Sequence, residues 1–95
     1  MNITDLHTTQ KPVSALSIFK GSENNTTAIQ ILEQQELKEH ISKVPALLLC
    51  VIGDVTYHDE TGNNTTLISG DYVAIVPNVK HWLVAKQTSN LLLIK

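Results

Sequence analysis

Two histidines stand in parts of the chain that could bring imidazole groups together. His40 ends the charged segment "ELKEH", two residues before Ser42, and His81 follows the turn "PNVK". Imidazole nitrogens bind divalent transition metals, and near neutral pH they also accept and release protons. A protein site that holds such a metal usually supplies three or four side chains. The residues that accompany the two histidines therefore decide which chemistry is open to them.

The other titratable residues offer these histidines little support. His58 lies in "TYHDE" beside two acidic residues and is expected to be solvated, and His7 lies in the N-terminal segment with no expected role. The carboxylates that follow His40 in the chain all fall at predicted turns: Asp54, Asp59, Glu60 and Asp71. We therefore expect no carboxylate to face inward beside the pair. This disfavours redox catalysis, in which two His and one carboxylate commonly hold iron.

Composition excludes several classes of partner. The chain has 95 residues, 42% of them hydrophobic and 17% charged, which is typical of one globular domain. Its net charge of −2 gives no electrostatic reason to bind nucleic acid or an anionic membrane. All seven basic residues are Lys, so no Arg is present to hold a phosphate or nucleotide in a bidentate fork. The start of the chain lacks the features of a signal peptide, and we expect a cytoplasmic protein.

Turn residues interrupt the chain at intervals of about ten residues, which predicts an all-β sandwich or barrel with little or no helix. Residues 1–12 are predicted to be a flexible or neighbour-docked tail, and residues 13–95 a single barrel domain. A helix over "ILEQQELKEH" is the alternative for that segment, but its apolar spacing fits a helical face poorly. The predicted strands are Ala15–Lys20, Thr27–Glu33, Leu37–Ser42, Ala46–Ile52, Asp54–Asp59, Thr65–Ile68, Tyr72–Val76, His81–Lys86 and Leu91–Lys95.

The segment 34–85 resembles the cupin family, whose fold is a double-stranded β-helix barrel of the RmlC-like type. The first cupin motif, G(X)5HXH(X)3–4E(X)6G, fits when its last Gly is placed on Gly53. The second motif, G(X)5PXG(X)2H(X)3N, fits when its first Gly is placed on Gly70, and Pro77 then stands one residue late. The spacing of both motifs is kept, but several positions are substituted: Gln34, Ser42, Ala46, Val76, Asn78 and Ala85.

The resemblance implies a metal site that has lost half of its ligands. Cupin metal sites use three His and one Glu, and here these positions hold His40, Ser42, Ala46 and His81. At most, the two histidines would bind a divalent transition metal (Zn, Ni, Fe or Mn) weakly. The predicted ligand-binding mouth of the barrel is lined by His40, Ser42 and His81. Its expected apolar floor consists of Leu48, Cys50 and Leu83.

Three functions remain open from the sequence. The preferred one is a non-catalytic barrel that binds or senses an unidentified small molecule and carries a vestigial metal site. The alternatives are a metal-dependent enzyme of the dioxygenase or isomerase type that uses His40 and His81, and a structural dimer. A homodimer is the preferred expectation, because Leu47, Leu49 and Val51 form a second apolar face that needs cover. Trp82 is predicted to join that face in the dimer, and cover by the N-terminal strands is the alternative.

Overall fold

Two long strands, β4 and β7, run antiparallel along each other and organise the fold. The computed structural model describes residues 1–95 and contains seven strands and one 3-10 helix at Ile3–Asp5. None of the helical structure is long and apolar enough to cross a membrane. The strands are β1 Val13–Lys20, β2 Asn25–Ile31, β3 Glu36–His40, β4 Ala46–Asp59, β5 Asn64–Ile68, β6 Tyr72–Ile75 and β7 His81–Ile94.

Each long strand changes partners along its length. The first part of β4 pairs with β6, and its second part pairs with β5. Similarly, β7 pairs with β3 at its beginning and with β2 at its end, and β1 extends the sheet beyond β2. All pairs are antiparallel. The seven strands thus form one continuous sheet, and the two halves of β4 and β7 lie in its two layers, with the core between them.

The core follows from the two-residue alternation of strand side chains. Along β4, buried and partly exposed residues alternate from Ala46 to Cys50 and again from Val55 to Asp59. Twelve buried residues form one apolar cluster: Ile29, Ile31, Ala46, Leu48, Cys50, Val55, Tyr57, Leu67, Ile75, Leu83, Ala85 and Leu91. Each strand except β1 and β3 contributes to this cluster.

The strands β4 and β7 bend where Gly53 meets Ser89. The register between the two strands shifts near residues 50–55, which marks a bulge. Gly53 has a φ of +131°, and a Cβ atom built on it would lie 2.1 Å from the Ser89 hydroxyl oxygen. That hydroxyl accepts a hydrogen bond from the Asp54 backbone N–H at 3.0 Å and donates one to the Gln87 carbonyl at 2.8 Å. Because Gly53 has no side chain, the two strands can approach each other closely. The Ser89 hydroxyl then supplies hydrogen bonds in place of the backbone bonds that the bulge interrupts.

The predicted strands are largely confirmed, with three corrections. The expected breaks at Gly53-Asp54 and Ser89-Asn90 do not exist, because the facing bulge lets β4 and β7 continue through them. The alternative helix over "ILEQQELKEH" is wrong, because that segment contains the end of β2, a turn and β3. A positive φ of 65° at Gln34 marks this turn.

The apolar outer face lies on one sheet only. Leu47 is opposite Ile94, and Leu49 is opposite Leu92, near the end of β7. Trp82 lies near the beginning of β7, opposite His58, and its ring stacks on the His58 ring with centroids 5.6 Å apart. The register therefore separates Trp82 from the face with which it was expected to form one interface.

Candidate functional site

The two histidines identified in the sequence are direct neighbours across β3 and β7. His40 and His81 are register partners, and their ring centroids lie 4.1 Å apart with an interplanar angle of 64°. His40 ends β3 and is exposed, whereas His81 begins β7 and is only 2% exposed. One imidazole is thus open to solvent, and the other lies beneath it.

Backbone carbonyls fix the orientation of both rings. The Nδ1 atom of His40 lies 3.0 Å from the Lys38 carbonyl oxygen, and the Nδ1 atom of His81 lies 3.1 Å from the Val79 carbonyl oxygen. A carbonyl oxygen only accepts, so each Nδ1 carries the proton and donates it. In the neutral ring, Nε2 then carries a lone pair.

Neither Nε2 atom of the pair has a hydrogen-bond partner within the protein. The single buried side-chain nitrogen or oxygen without a partner is the Nε2 of His7, so the Nε2 of His81 is among the atoms that solvent reaches. Solvent therefore reaches both Nε2 atoms, although His81 as a whole is 2% exposed.

Tyr57 forms the other side of the His81 environment. Its ring is 3% exposed and stacks on His81 with centroids 5.7 Å apart and an interplanar angle of 23°. Burial lowers the pKa of His81, and the charges of His40 and Lys95 lower it further, against the opposing effects of the Val79 carbonyl and Asp59. The environment thus favours the neutral imidazole of His81.

Asp59 corrects the expectation that no acidic residue faces inward beside the pair. It is the last residue of β4, 8% exposed, the register partner of His81, and shares the buried face of Val55 and Tyr57. Its carboxylate accepts hydrogen bonds from the backbone N–H groups and side chains of Thr61 and Asn63. The Thr61 hydroxyl bond is the main reason that the Asp59 pKa is lowered. The carboxylate therefore stabilises the β4–β5 turn and influences His81 electrostatically.

The remaining predicted site residues are buried but do not meet the histidines through hydrogen bonds. The Ser42 hydroxyl donates to the Val44 carbonyl at 2.7 Å and so belongs to its own turn. The three residues expected to form the floor are 0–2% exposed and belong to the apolar core: Leu48, Cys50 and Leu83. Burial also raises the pKa of the Cys50 thiol, which disfavours the thiolate form that binds metals.

The structure has two surface cavities, and both lie at the N-terminal segment. One, of about 250 Å³, is lined by residues that include His7, Lys11 and Ser14. There, the Ser14 hydroxyl lies 2.7 Å from the His7 Nδ1. The other, of about 290 Å³, lies between Met1, Ile3 and Ile18. None of the predicted ligand-binding residues lines either cavity, so the outer surface of the histidine pair is shallow.

The donor set of the pair does not fit a resident metal ion. No group of three or more His, Cys, Asp or Glu side chains is arranged to hold one. The Ser42 hydroxyl proton is bonded within its turn, and the Asp59 carboxylate accepts four hydrogen bonds from Thr61 and Asn63 in its own turn. Two imidazoles alone fall short of the three or four protein ligands of usual metal sites.

Solved structures resemble this chain over nearly its whole length. A cupin superfamily protein from Desulfitobacterium hafniense DCB-2 matches 98% of this chain and 84% of its own with a TM-score of 0.85 at 12% identity. Protein NMB1881 from Neisseria meningitidis matches 99% and 95% with a TM-score of 0.81 at 18% identity. The protein has a cupin fold. The all-β architecture expected from the turn residues and the cupin-type barrel implied by the two motifs are thereby confirmed.

Sequence comparison adds no family assignment to this fold. No protein-family model matches the sequence, and no curated protein matches it at a significant level. KdgF from a Halomonas species shares the fold with a TM-score of 0.78 at 14% identity, covering 87% of this chain and 78% of its own. At such identities the likeness concerns the fold, so the chemistry of this protein has to be argued from its own residues.

Proposed function

We propose that the protein is a cytoplasmic, non-catalytic cupin that binds a small molecule at the histidine pair. The observation that carries this proposal is the contact between His40 and His81, whose Nδ1 atoms are bonded to backbone carbonyls while both Nε2 atoms lack partners. Such an arrangement presents two ring nitrogens of fixed orientation at one place. It supports recognition of a ligand without supplying a metal or a free carboxylate for catalysis.

Ligand screening by NMR tests this proposal directly. The wild-type protein, labelled with nitrogen-15, would be exposed to a small-molecule library while the imidazole signals are recorded. We expect ligands that shift the His40 and His81 signals together and leave His58, the stacked histidine of the opposite outer face, unchanged. A matched His40→Ala variant should lose this binding and keep its fold, because His40 is exposed. Ligands that bind both proteins equally would contradict the proposed site.

A metal-dependent enzyme is the second candidate, and one observation favours it. Histidines that bind metals usually donate their other ring N–H to a carbonyl or carboxylate, and both histidines of the pair do so. Metal analysis of protein purified without a histidine tag separates the candidates. Stoichiometric Zn, Ni, Fe or Mn that is lost in both His40→Ala and His81→Ala would support the enzyme. Substoichiometric metal in all three proteins would support the binding barrel.

We also propose that the protein forms a homodimer through the outer face of one sheet. Register partners place Leu16, Ala28, Leu92, Leu49 and Tyr72 in one row across five strands, and none of them is charged. The two ends of the row are open, with Leu16 45% exposed and Tyr72 68% exposed, whereas Ala28 is already buried within the chain and Leu49 and Leu92 are partly buried. β1 is also an edge strand with one unpaired side. A second copy of this chain would cover apolar surface that is otherwise left in water.

A further inference from the structure

We infer that the histidine pair selects ligands that donate hydrogen bonds, such as amines and alcohols, over ligands that only accept them, such as carboxylates. This inference rests on the proposed function, because it names the class of molecule that the same site takes. It follows from which hydrogen-bond donors of the site are already used within the protein.

The polar side chains of the predicted mouth have no donor left for a ligand in their neutral forms. His40 donates its Nδ1–H to Lys38, and His81 donates its Nδ1–H to Val79. Ser42 donates its hydroxyl proton to the Val44 carbonyl. A neutral imidazole has one N–H and a hydroxyl has one O–H, so these bonds use every proton of the three groups. The two histidines can therefore offer a ligand only the acceptor lone pair on each Nε2 atom.

Charges at the rim act in the same direction. Glu39 and Lys80 directly precede the two histidines and form an exposed ion pair with 3.7 Å between Nζ and Oε1. Glu60 adds a further carboxylate, whose Oε2 accepts a hydrogen bond from the Lys80 backbone N–H at 2.7 Å. The Lys80 ammonium is thus paired with Glu39, and the rim close to the pair carries two carboxylates, those of Glu39 and Glu60. A carboxylate ligand would meet the lone pairs of the imidazoles and the carboxylates of the rim, whereas an ammonium or hydroxyl group would meet acceptors.

The first experiment tests the proton positions without any ligand. Long-range proton–nitrogen correlation spectra at about pH 8, above the ordinary imidazole pKa of about 6.5, distinguish the two neutral tautomers. We expect the Nδ1–H tautomer for both His40 and His81. An Nε2–H tautomer at either residue overturns the inference but leaves the proposed function standing, because a donor would then face the ligand.

The second experiment compares three probes with the same number of heavy atoms: ethanolamine, ethylene glycol and acetate. Ethanolamine and ethylene glycol should shift the His40 and His81 signals saturably, and acetate should bind at least about tenfold more weakly, the effect expected for one lost hydrogen bond. The neutral glycol separates hydrogen bonding from positive charge, and His58 serves as the internal control. Acetate binding as tight as that of the donor probes overturns the inference alone. Failure of all three probes to shift the pair overturns the proposed site as well.

A variant that replaces a hydrogen-bond acceptor of the pair by a donor should reverse the ligand preference. His40→Lys replaces an exposed acceptor by a group with three donors and no acceptor. We expect this variant to bind acetate more tightly than the wild type does and ethanolamine more weakly, with each change about tenfold. Because His40 is exposed at the end of β3, the fold should persist, which circular dichroism checks. Unchanged preference in a folded variant overturns the inference.

Discussion

His40 and His81 are opposite each other in the ladder between β3 and β7, and their ring centroids lie 4.1 Å apart. The relationship is asymmetric, because His40 is exposed while His81 is 2% exposed and stacks on Tyr57. A ligand must therefore approach from the His40 side. The buried ring contributes to the fold as well as to the site, and the two contributions can be separated by substitution.

We expect His81→Ala to destabilise the protein by about 2–4 kcal/mol, because it removes a buried ring and leaves the Val79 carbonyl without its partner. His40→Ala, its matched control, should cost less than about 1 kcal/mol, because His40 is exposed. Urea denaturation followed by circular dichroism measures both values. Equal losses in the two variants would contradict the asymmetry of the pair.

The stability of the protein should decrease as the pH falls from about 7 to below 6.5. Burial lowers the pKa of His81 in the folded state, so the unfolded chain binds its proton more readily. The contribution of His81 is therefore complete above its unfolded pKa and is lost as the pH falls towards its folded pKa. Urea midpoints measured across this range provide the test.

His7 requires a control in that experiment, because burial lowers its pKa as well. His7→Gln should remove only the part of the pH dependence that comes from His7, whereas His81→Gln should remove the part that comes from His81. Asp59 acts in a different window, since its lowered pKa confers stability that is lost only as the pH falls below about 3.9. A midpoint that is flat around pH 6.5 in the wild type would be incompatible with a desolvated His81.

Asp59→Asn should lower the pKa of His81 further than in the wild type. Asp59 is the register partner of His81, and its negative charge raises the pKa of that imidazole. Asparagine keeps a side-chain oxygen that can accept the bonds from Thr61 and Asn63, so the turn is largely preserved. NMR titration of the His81 signals measures the shift. Asp71→Asn is the control, because Asp71 accepts a hydrogen bond from the Ile68 backbone N–H at another turn. An equal change of the His81 pKa in this control would show that the effect is not specific to Asp59.

Tyr72→Lys should convert the proposed homodimer into a species of half the mass. Tyr72 is the register partner of Leu49 at one end of the apolar row and is 68% exposed, so a lysine there places charge in the interface without disturbing the core. Trp82→Lys, on the other sheet, is the control and should leave the dimer intact. Light scattering coupled to size exclusion gives the masses. Dissociation by Trp82→Lys alone would place the interface on the opposite sheet.

The strands were predicted from local patterns of turn residues and apolar alternation. That His40 and His81 meet was implied by the resemblance of two segments of the chain to the cupin motifs, and the register of β3 and β7 places the two residues opposite each other. The orientation of their rings could not be predicted, since it depends on carbonyls whose position follows from the folded backbone. Asp59 was assigned to a turn, although its alternation with Val55 and Tyr57 already indicated an inward side chain.

The two missed strand continuities have a common physical origin. Gly53-Asp54 and Ser89-Asn90 have the composition of turns, and each was therefore predicted to end a strand. In the fold they face each other across β4 and β7, where the glycine permits a close approach and the serine supplies hydrogen bonds to both strands. Only the pairing of segments that are distant in sequence reveals that these residues bend a strand.

Gly53→Ala should therefore destabilise the protein far more than the same substitution at Gly70. Both glycines have positive φ values, +131° and +93°, so each alanine is strained by its backbone.

At Gly70 the new methyl group would meet nothing within 4 Å, and we expect a loss of about 1 kcal/mol in the free energy of unfolding. At Gly53 the methyl group would overlap the Cβ and Cα atoms of Ser89 at 2.5 and 2.6 Å, which requires a backbone shift in both long strands. A loss of at least about 3 kcal/mol, or no soluble protein, is expected there. Equal urea midpoints for the two variants would show that the bend at Gly53 and Ser89 tolerates a side chain.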